Sequence, residues 1–383
     1  MAGELPNSEL RPARAFPHRM LREIYEQPQA IRETIARNVT GDVIFPAALQ
    51  EIETALAGFK KIIIAASGSS RNGGLAGEIM IEDLAGIPVD VEYASEYSCR
   101  STHAGADAAV LVITQSGETA DTIAAQREAQ NRGAKTIAIS NAADSTISRE
   151  ATATLITYAA PERAVPATKS ITTQLSILYL FSLFLARKFG RMDSPALPAH
   201  LDLLAAIPEE MERCLDAWDA QAAGAARAAE KVKAFLYLGR GIHYAIAREG
   251  ALKLKEISYL QAEGMPAGEL RHGPNALVDE DLPVVALSTR DASDPGSVLR
   301  YQKTLGVLEY VKSRRGKAIA IANEGDREIL SVTDRVIFVP PAPELLLPIL
   351  EVVPLQLFAY HFAVLNGCDV DHPRNLVKAV ITE

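Results

Sequence analysis

Cysteine is scarce in this chain. Cys99, Cys214 and Cys368 lie far apart, are odd in number and form no CxxC pair. That excludes a disulfide framework and fits a reducing, cytoplasmic setting. No run of Lys or Arg occurs and the net charge is −9, so nucleic acid is not expected as a partner. An acidic chain can still hold an anionic small molecule where a site is locally positive. Long hydrophobic runs are also missing. "LSILYLFSLFLA", Leu175 to Ala186, falls short of the roughly 20 residues that a bilayer span needs. It reads as a buried core helix, and no membrane association is expected. The opening "MAGELPNSELRPARAF" has no apolar stretch, so no signal peptide is expected. His18, His103, His200, His243, His361 and His372 show no metal-ligand spacing, and neither a metal nor a cofactor is expected.

What is present is a globular composition. Of 383 residues, 48% are hydrophobic and 23% charged, and a chain of this length exceeds one typical core. Short apolar runs such as "KKIIIAAS", "AAVLVIT" and "KTIAIS" alternate with amphipathic stretches such as "TADTIAAQREAQNRG". That alternation predicts a parallel sheet with helices on both faces. A second series follows, from "KAFLYLG" to "RVIFVP", in which "YAIAREGALKLKEISYLQAEG" reads as one helix over residues 244–264. The spacing from Gly68 to Gly241 equals that from Glu96 to Glu269, which suggests a duplicated unit. The expected fold is α/β, two tandem units, each a doubly wound parallel sheet flanked by helices. The expected division is a flexible lead-in (1–20), a first unit with an N-terminal helix (21–190), a helical connection (191–230), a second unit (231–365) and a tail (366–383).

Two stretches carry chemistry. In "VLVITQSGETADTIAA" a buried strand runs into Thr114, Gln115, Ser116, Gly117, Glu118 and Thr119, and a helix follows. Ligands of open parallel sheets sit beyond the carboxyl ends of strands, where helix N-termini present free N–H groups. Hydroxyls and a glycine there suit a phosphate dianion held without metal. "AASGSSRNGG" has the same design, with Ser67, Gly68, Ser69 and Ser70 after the strand. Ordinary helix capping would use the same residues. Two such loops in one half favour phosphate, and neither is a nucleotide fingerprint.

"EIYEQPQAIRETI", "ITQSGETADT", "EGALKLKEISYLQAEGMPAGELRHGPNAL" and "VPLQLFAYHFAVLNGCDVDHPRNLVKAVITE" resemble the isomerase half of the glucosamine-6-phosphate synthase family. That half is a pair of sugar-isomerase (SIS) domains, and the resemblance runs from about Leu21 to Glu383. It implies an enzyme acting on fructose 6-phosphate and glucosamine 6-phosphate. The family's glutaminase domain begins with a nucleophilic cysteine. No cysteine precedes Cys99 here, so the isomerase half alone is expected.

Carried over residue by residue, the resemblance implies substrate and phosphate contacts at Gly68, Ser70, Thr114, Gln115, Ser116, Thr119, Ala167 and Val377. Thr114 stands where the family usually has serine. Ala167, in "VPATK", replaces a serine, which puts one sugar hydroxyl contact and the sugar's identity in question. The implied catalytic set is Lys253, Glu256, His272 and Lys378. A carboxylate that accepts and returns a proton moves it between C1 and C2, and Glu256 fits that task. Lys253, three residues earlier, shares its helical face and would hold it ionised. A plain solvated helix pair has the same spacing. His272 suits ring opening near neutrality. Lys378 would form a Schiff base at C2 or stabilise charge there. In the family this histidine comes from the neighbouring subunit, which implies a homodimer with shared sites. The alternatives are a phosphosugar sensor without turnover, and the isomerase subunit of a two-chain synthase with a separate glutaminase.

Overall fold

The computed structural model describes residues 15–100 and 105–380. Most of the expected lead-in (1–14), His103 and the last three tail residues lie outside the described residues. The first sheet contains β1 (Lys61–Ala66), β2 (Val89–Tyr93), β3 (Ala108–Ile113), β4 (Lys135–Ser140) and β5 (Ala153–Ile156) in the order β2-β1-β3-β4-β5. The second contains β6 (Ala234–Gly239), β7 (Gln261–Pro266), β8 (Val284–Ser288), β9 (Ala318–Asn323) and β10 (Arg335–Val339) in the order β7-β6-β8-β9-β10. Every pairing in both sheets is parallel. The two halves therefore repeat one topology. Gly68 and Gly241 open equivalent helices with the same φ of 54°, a left-handed conformation that glycine adopts at little cost.

The helices that matter here are α1 (Gly68–Ala85), α2 (Ala120–Asn131), α3 (Lys169–Lys188), α4 (Ala196–Ala228), α5 (Ile242–Ser258) and α6 (Leu347–Leu365). β3 is buried at every position, as continuous apolar runs in a doubly covered sheet require. α1 packs on α3, α5 packs on α6, and α1 meets α5 where the halves join. One apolar cluster runs through both halves beneath these helices, with a smaller cluster on the outer face of each sheet. Two helices, α3 and α6, are long and apolar enough to cross a membrane. Both are buried inside the fold.

One element differs from the sequence reading. The helix expected over residues 244–264 ends at Ser258, because Tyr259 turns into the left-handed region (φ 62°). "QAEGMP" then forms the edge strand β7, paired to β6 from Ala234↔Gln261 to Gly239↔Pro266. Its polar and small residues carry no strand signature, and only docking beside β6 makes it one. α6 continues through Pro354 although proline disfavours helix interiors.

Candidate active site

A cavity of about 310 Å³ opens at the carboxyl ends of β1 and β3, where the strand order reverses direction. Ligands of open α/β sheets bind at such a switch point. Its walls come from four places: Ser67–Ser70, Thr114–Ser116 with Thr119, Val165 with Ala167 and Ser170, and the tail from Leu376 to Val380; Glu256 closes one side. All eight expected contact residues and two expected catalytic ones, Glu256 and Lys378, therefore share one space.

The hydroxyl loop is held open for a ligand. Thr114 Oγ1 accepts from Gly117 N (3.2 Å) and lies 3.3 Å from Thr119 Oγ1. Ser116 Oγ accepts from Glu118 N (3.1 Å). Thr119 is the N-cap of α2 and Ser67 that of α1, yet neither side chain makes a capping hydrogen bond. Glu118, one residue before the Thr119 N-cap, accepts from Thr146 N at 2.7 Å. Gly117 has φ 69°, and a Cβ there would lie 1.9 Å from Ser145 Oγ. Only glycine fits.

The second half supplies an internal comparison. At the equivalent helix start Asp294 caps with its own carboxylate, accepting from Gly296 N (2.8 Å) and Ser297 N (3.0 Å). Two residues after Gly241, where the first half has Ser70, stands the buried His243. Its Nδ1 is 2.7 Å from Glu351 and its Nε2 is 3.2 Å from Glu344. The protein's own charges thus stand where the first half has Ser70. Burial opposes protonation of His243, but the two carboxylates outweigh it and push its pKa up to about 10.

Glu256 sits on α5 beside Lys253, whose Nζ is 2.8 Å from Glu256 Oε2, 3.3 Å from Ser69 Oγ and 3.5 Å from Glu249 Oε1. Lys253 is fully buried and lies behind the cavity rather than in its lining. Burial disfavours its charge, but Glu256 and Glu249 overcome that and hold the ammonium well above its ordinary pKa. The buried Glu249 carboxyl is raised, chiefly by burial; it accepts from Ser69 Oγ (2.8 Å) and Asn72 Nδ2 (2.9 Å). The arrangement is therefore a buried network and not a solvated pair.

Lys378 donates to Glu162 at 2.5 Å. Glu162 is buried and also accepts from Thr168 N and Oγ1 (2.9 and 3.2 Å) and from Ser170 N and Oγ (3.1 and 2.9 Å). Burial alone would raise its pKa, yet Lys378 and these donors hold it below the ordinary carboxylate value. The loop bearing Glu162 is fixed by the "EIYEQP" segment. Glu23 accepts from Arg163 N (2.6 Å), Glu26 pairs with Lys169 (2.7 Å), and Gln27 bonds Gln356, which donates to Thr168 O (3.2 Å). The tail is pinned by Ala120 N to Val380 O (3.0 Å) and by Val165 N to Asp371 O (3.0 Å).

His272 is not brought in. It is exposed at the end of a short 3-10 helix, Ala267–Arg271, and does not line this cavity. Sequence reasoning missed Glu162, Glu249, Ser170 and Gln174, whose Nε2 donates to Ser70 Oγ at 3.1 Å. Glu249 had a signal, standing four residues before Lys253 on the same helical face. Glu162 had none, since its partner is 216 residues away.

A doubled parallel sheet with a hydroxyl-lined cavity at one switch point defines the class, an open α/β protein with a site at the carboxyl ends of its strands. Residues 55–183 and 230–366 match the SIS domain, and the chain belongs to the SIS domain family. It is 44% identical over 371 residues to the glutamine–fructose-6-phosphate aminotransferase (isomerizing) of Chlorobaculum tepidum, and 42% identical over 374 residues to that of Methanosarcina acetivorans. Each match covers 96% of this chain but only 59% of the relative. Among solved structures, the C-terminal domain of glucosamine-fructose-6-phosphate aminotransferase from Francisella tularensis superposes with a TM-score of 0.87 at 33% identity, covering 94% of this chain and 98% of that one. A glucosamine-6-phosphate deaminase from Thermotoga maritima, 20% identical with a TM-score of 0.69, covers 95% of this chain and 99% of that one and shares the fold.

Proposed function

We propose that this chain is a phosphosugar aldose–ketose isomerase that interconverts fructose 6-phosphate plus ammonia and glucosamine 6-phosphate. The observation that carries the reading is Glu256 facing the same cavity as the hydroxyl cradle and Lys378, with Lys253 buried behind it. The cradle of Thr114, Gln115, Ser116 and Thr119 holds the phosphate, and the positive end of α2 adds to it. Ser70 and the backbone near Ala167 and Val377 orient the sugar. Glu256 takes a proton from one of C1 and C2 and returns it to the other, and Lys253 donates to it at 2.8 Å from behind.

Lys378 reaches the sugar from the tail. Ion-paired to Glu162, it is placed to stabilise negative charge developing on the carbonyl oxygen. An imine at C2 requires it to hand a proton away first, and Glu162 is the adjacent acceptor. His272 acts in trans, from a second copy, in ring opening, and the working unit is a homodimer. Ammonia comes from solution or from a glutaminase.

In D₂O, fructose 6-phosphate should acquire deuterium at C1 in the presence of the protein, read by proton NMR. Glu256→Gln should abolish the exchange and leave thermal stabilisation by fructose 6-phosphate intact. Full exchange by the variant would remove Glu256 from the mechanism.

A further inference from the structure

The join between the halves holds a second cavity, of about 480 Å³. Gly68 lines both this space and the candidate active site, so only the first turn of α1 separates them. Its walls carry Arg71 and Tyr93 from the first half, Arg248 and Lys255 from α5, and Glu263 from β7. Three cations thus face one carboxylate. Among the described residues none of the three cations is ion-paired, whereas Arg37, Arg100, Arg127 and Arg213 are.

Arg71 is the most informative of them. Its guanidinium lies 3.7 Å over the Tyr93 ring, and its Nε and Nη1 are buried without an acceptor. Burial, with Arg248 adding to it, pushes its pKa below the ordinary arginine value. Arg248 is fixed beside it by neutral acceptors only: Tyr93 Oη (2.9 Å), Tyr244 Oη (3.1 Å) and Asn72 Oδ1 (3.4 Å). Two guanidiniums held together with donors left open is an arrangement that an anion completes.

We propose that this cavity is a second binding site, for a phosphate-bearing small molecule, with Arg71, Arg248 and Lys255 as its anchors. Guanidinium forks match phosphate oxygens two at a time, and the lysine adds a point charge at the rim. The volume exceeds that of a lone phosphate and admits an esterified one. The site also connects to the first. Arg248 bonds Asn72, Asn72 donates to Glu249 (2.9 Å), Glu249 lies 3.5 Å from Lys253, and Lys253 holds Glu256. An anion that draws Arg248 towards itself acts on the network around Glu256. That consequence rests on the proposed function, whereas the binding does not.

Isothermal titration of the full chain with inorganic phosphate should resolve two sites. Thr119→Val should remove one. Arg71→Gln with Arg248→Gln should weaken the other by about tenfold or more and leave the first unchanged. Lys255→Glu, at an exposed position that folding tolerates, should weaken the same second site. Parallel titration with glucosamine 6-phosphate assigns the source: occupancy of both sites means an ester, occupancy of the first alone means free phosphate. No arginine-dependent site, or two sites that both survive the arginine substitutions, overturns the proposal. So does a change of oligomeric state in the arginine variants with phosphate binding unaltered, which would make this face a contact with a second copy. Loss of the Thr119-dependent site alone would count against the proposed function and leave this inference standing.

Discussion

Glu162 and Lys378 are joined across 216 residues of sequence, and in the proposed function each acts through the other. Glu162→Gln keeps the shape and removes the charge. The account predicts that turnover falls at least about tenfold, the size expected for losing one charge-assisted hydrogen bond, while KM for the sugar phosphate moves little. Steady-state kinetics checks this, and unchanged kcat would dismiss the pair. Gly117 is the other residue with no substitute. Its φ of 69° and the 1.9 Å approach of a built Cβ to Ser145 Oγ predict that Gly117→Ala destabilises the chain by about 1–3 kcal/mol, measured by urea unfolding. Residue types at fixed local spacing were readable beforehand. The cradle from Thr114 to Thr119 and the Lys253–Glu256 step lie within single turns, so the sequence displays them. Glu162 was not readable, because nothing near it marks a carboxylate whose donors arrive from Ser170 and the tail.

At the scale of elements, the helix Arg19–Tyr25, the loop 161–168 and the tail form one clamp. Arg19 N and Met20 N donate to Asp371 (2.9 and 2.8 Å), and Glu23 holds Arg163 N (2.6 Å). This gives "EIYEQP" its physical meaning: it fixes the loop that fixes Lys378. Glu23→Ala should therefore speed hydrogen exchange at the Arg163 and Ala164 amides and lower turnover, with the sheets unaffected. Unaltered exchange would mean that the loop holds itself. Strands such as β1 and β3 announce themselves as continuous apolar runs. β7 does not. "QAEGMP" gains strand geometry only from its neighbour, and the left-handed Tyr259 that frees it from α5 leaves no mark in a helical periodicity that runs on past it.

Across the whole molecule, the two copies of one duplicated unit have diverged at equivalent helix starts. At the starts of α1 and α2 the first half makes no side-chain capping hydrogen bond, whereas the second caps with Asp294 and buries His243 between Glu344 and Glu351. His243 has its folded pKa raised from 6.5 to about 10. Its contribution to stability is complete below pH 6.5 and lost as pH rises through about 10. Glu344 is lowered to about 2: burial opposes this, and His243 with Ser297 and Arg300 outweighs it. Its contribution is present above pH 4.5 and lost as pH falls through about 2. Urea midpoints should decline from about pH 6.5 towards pH 10, and His243→Gln should lack that slope. An equal slope in the variant would locate the alkaline loss elsewhere. The repeat itself was legible from two equal spacings, whereas the buried charged cluster of the second half depends on Glu344 and Glu351, far from His243 in sequence.

The most direct measurement is incubation of the purified chain with glucosamine 6-phosphate, following fructose 6-phosphate and free ammonia together. The account predicts equimolar release of both, abolished by Lys378→Ala and by Glu256→Gln. Binding of glucosamine 6-phosphate with neither product formed, with or without added ammonium, would contradict it and make the cavity a sensor of phosphosugars.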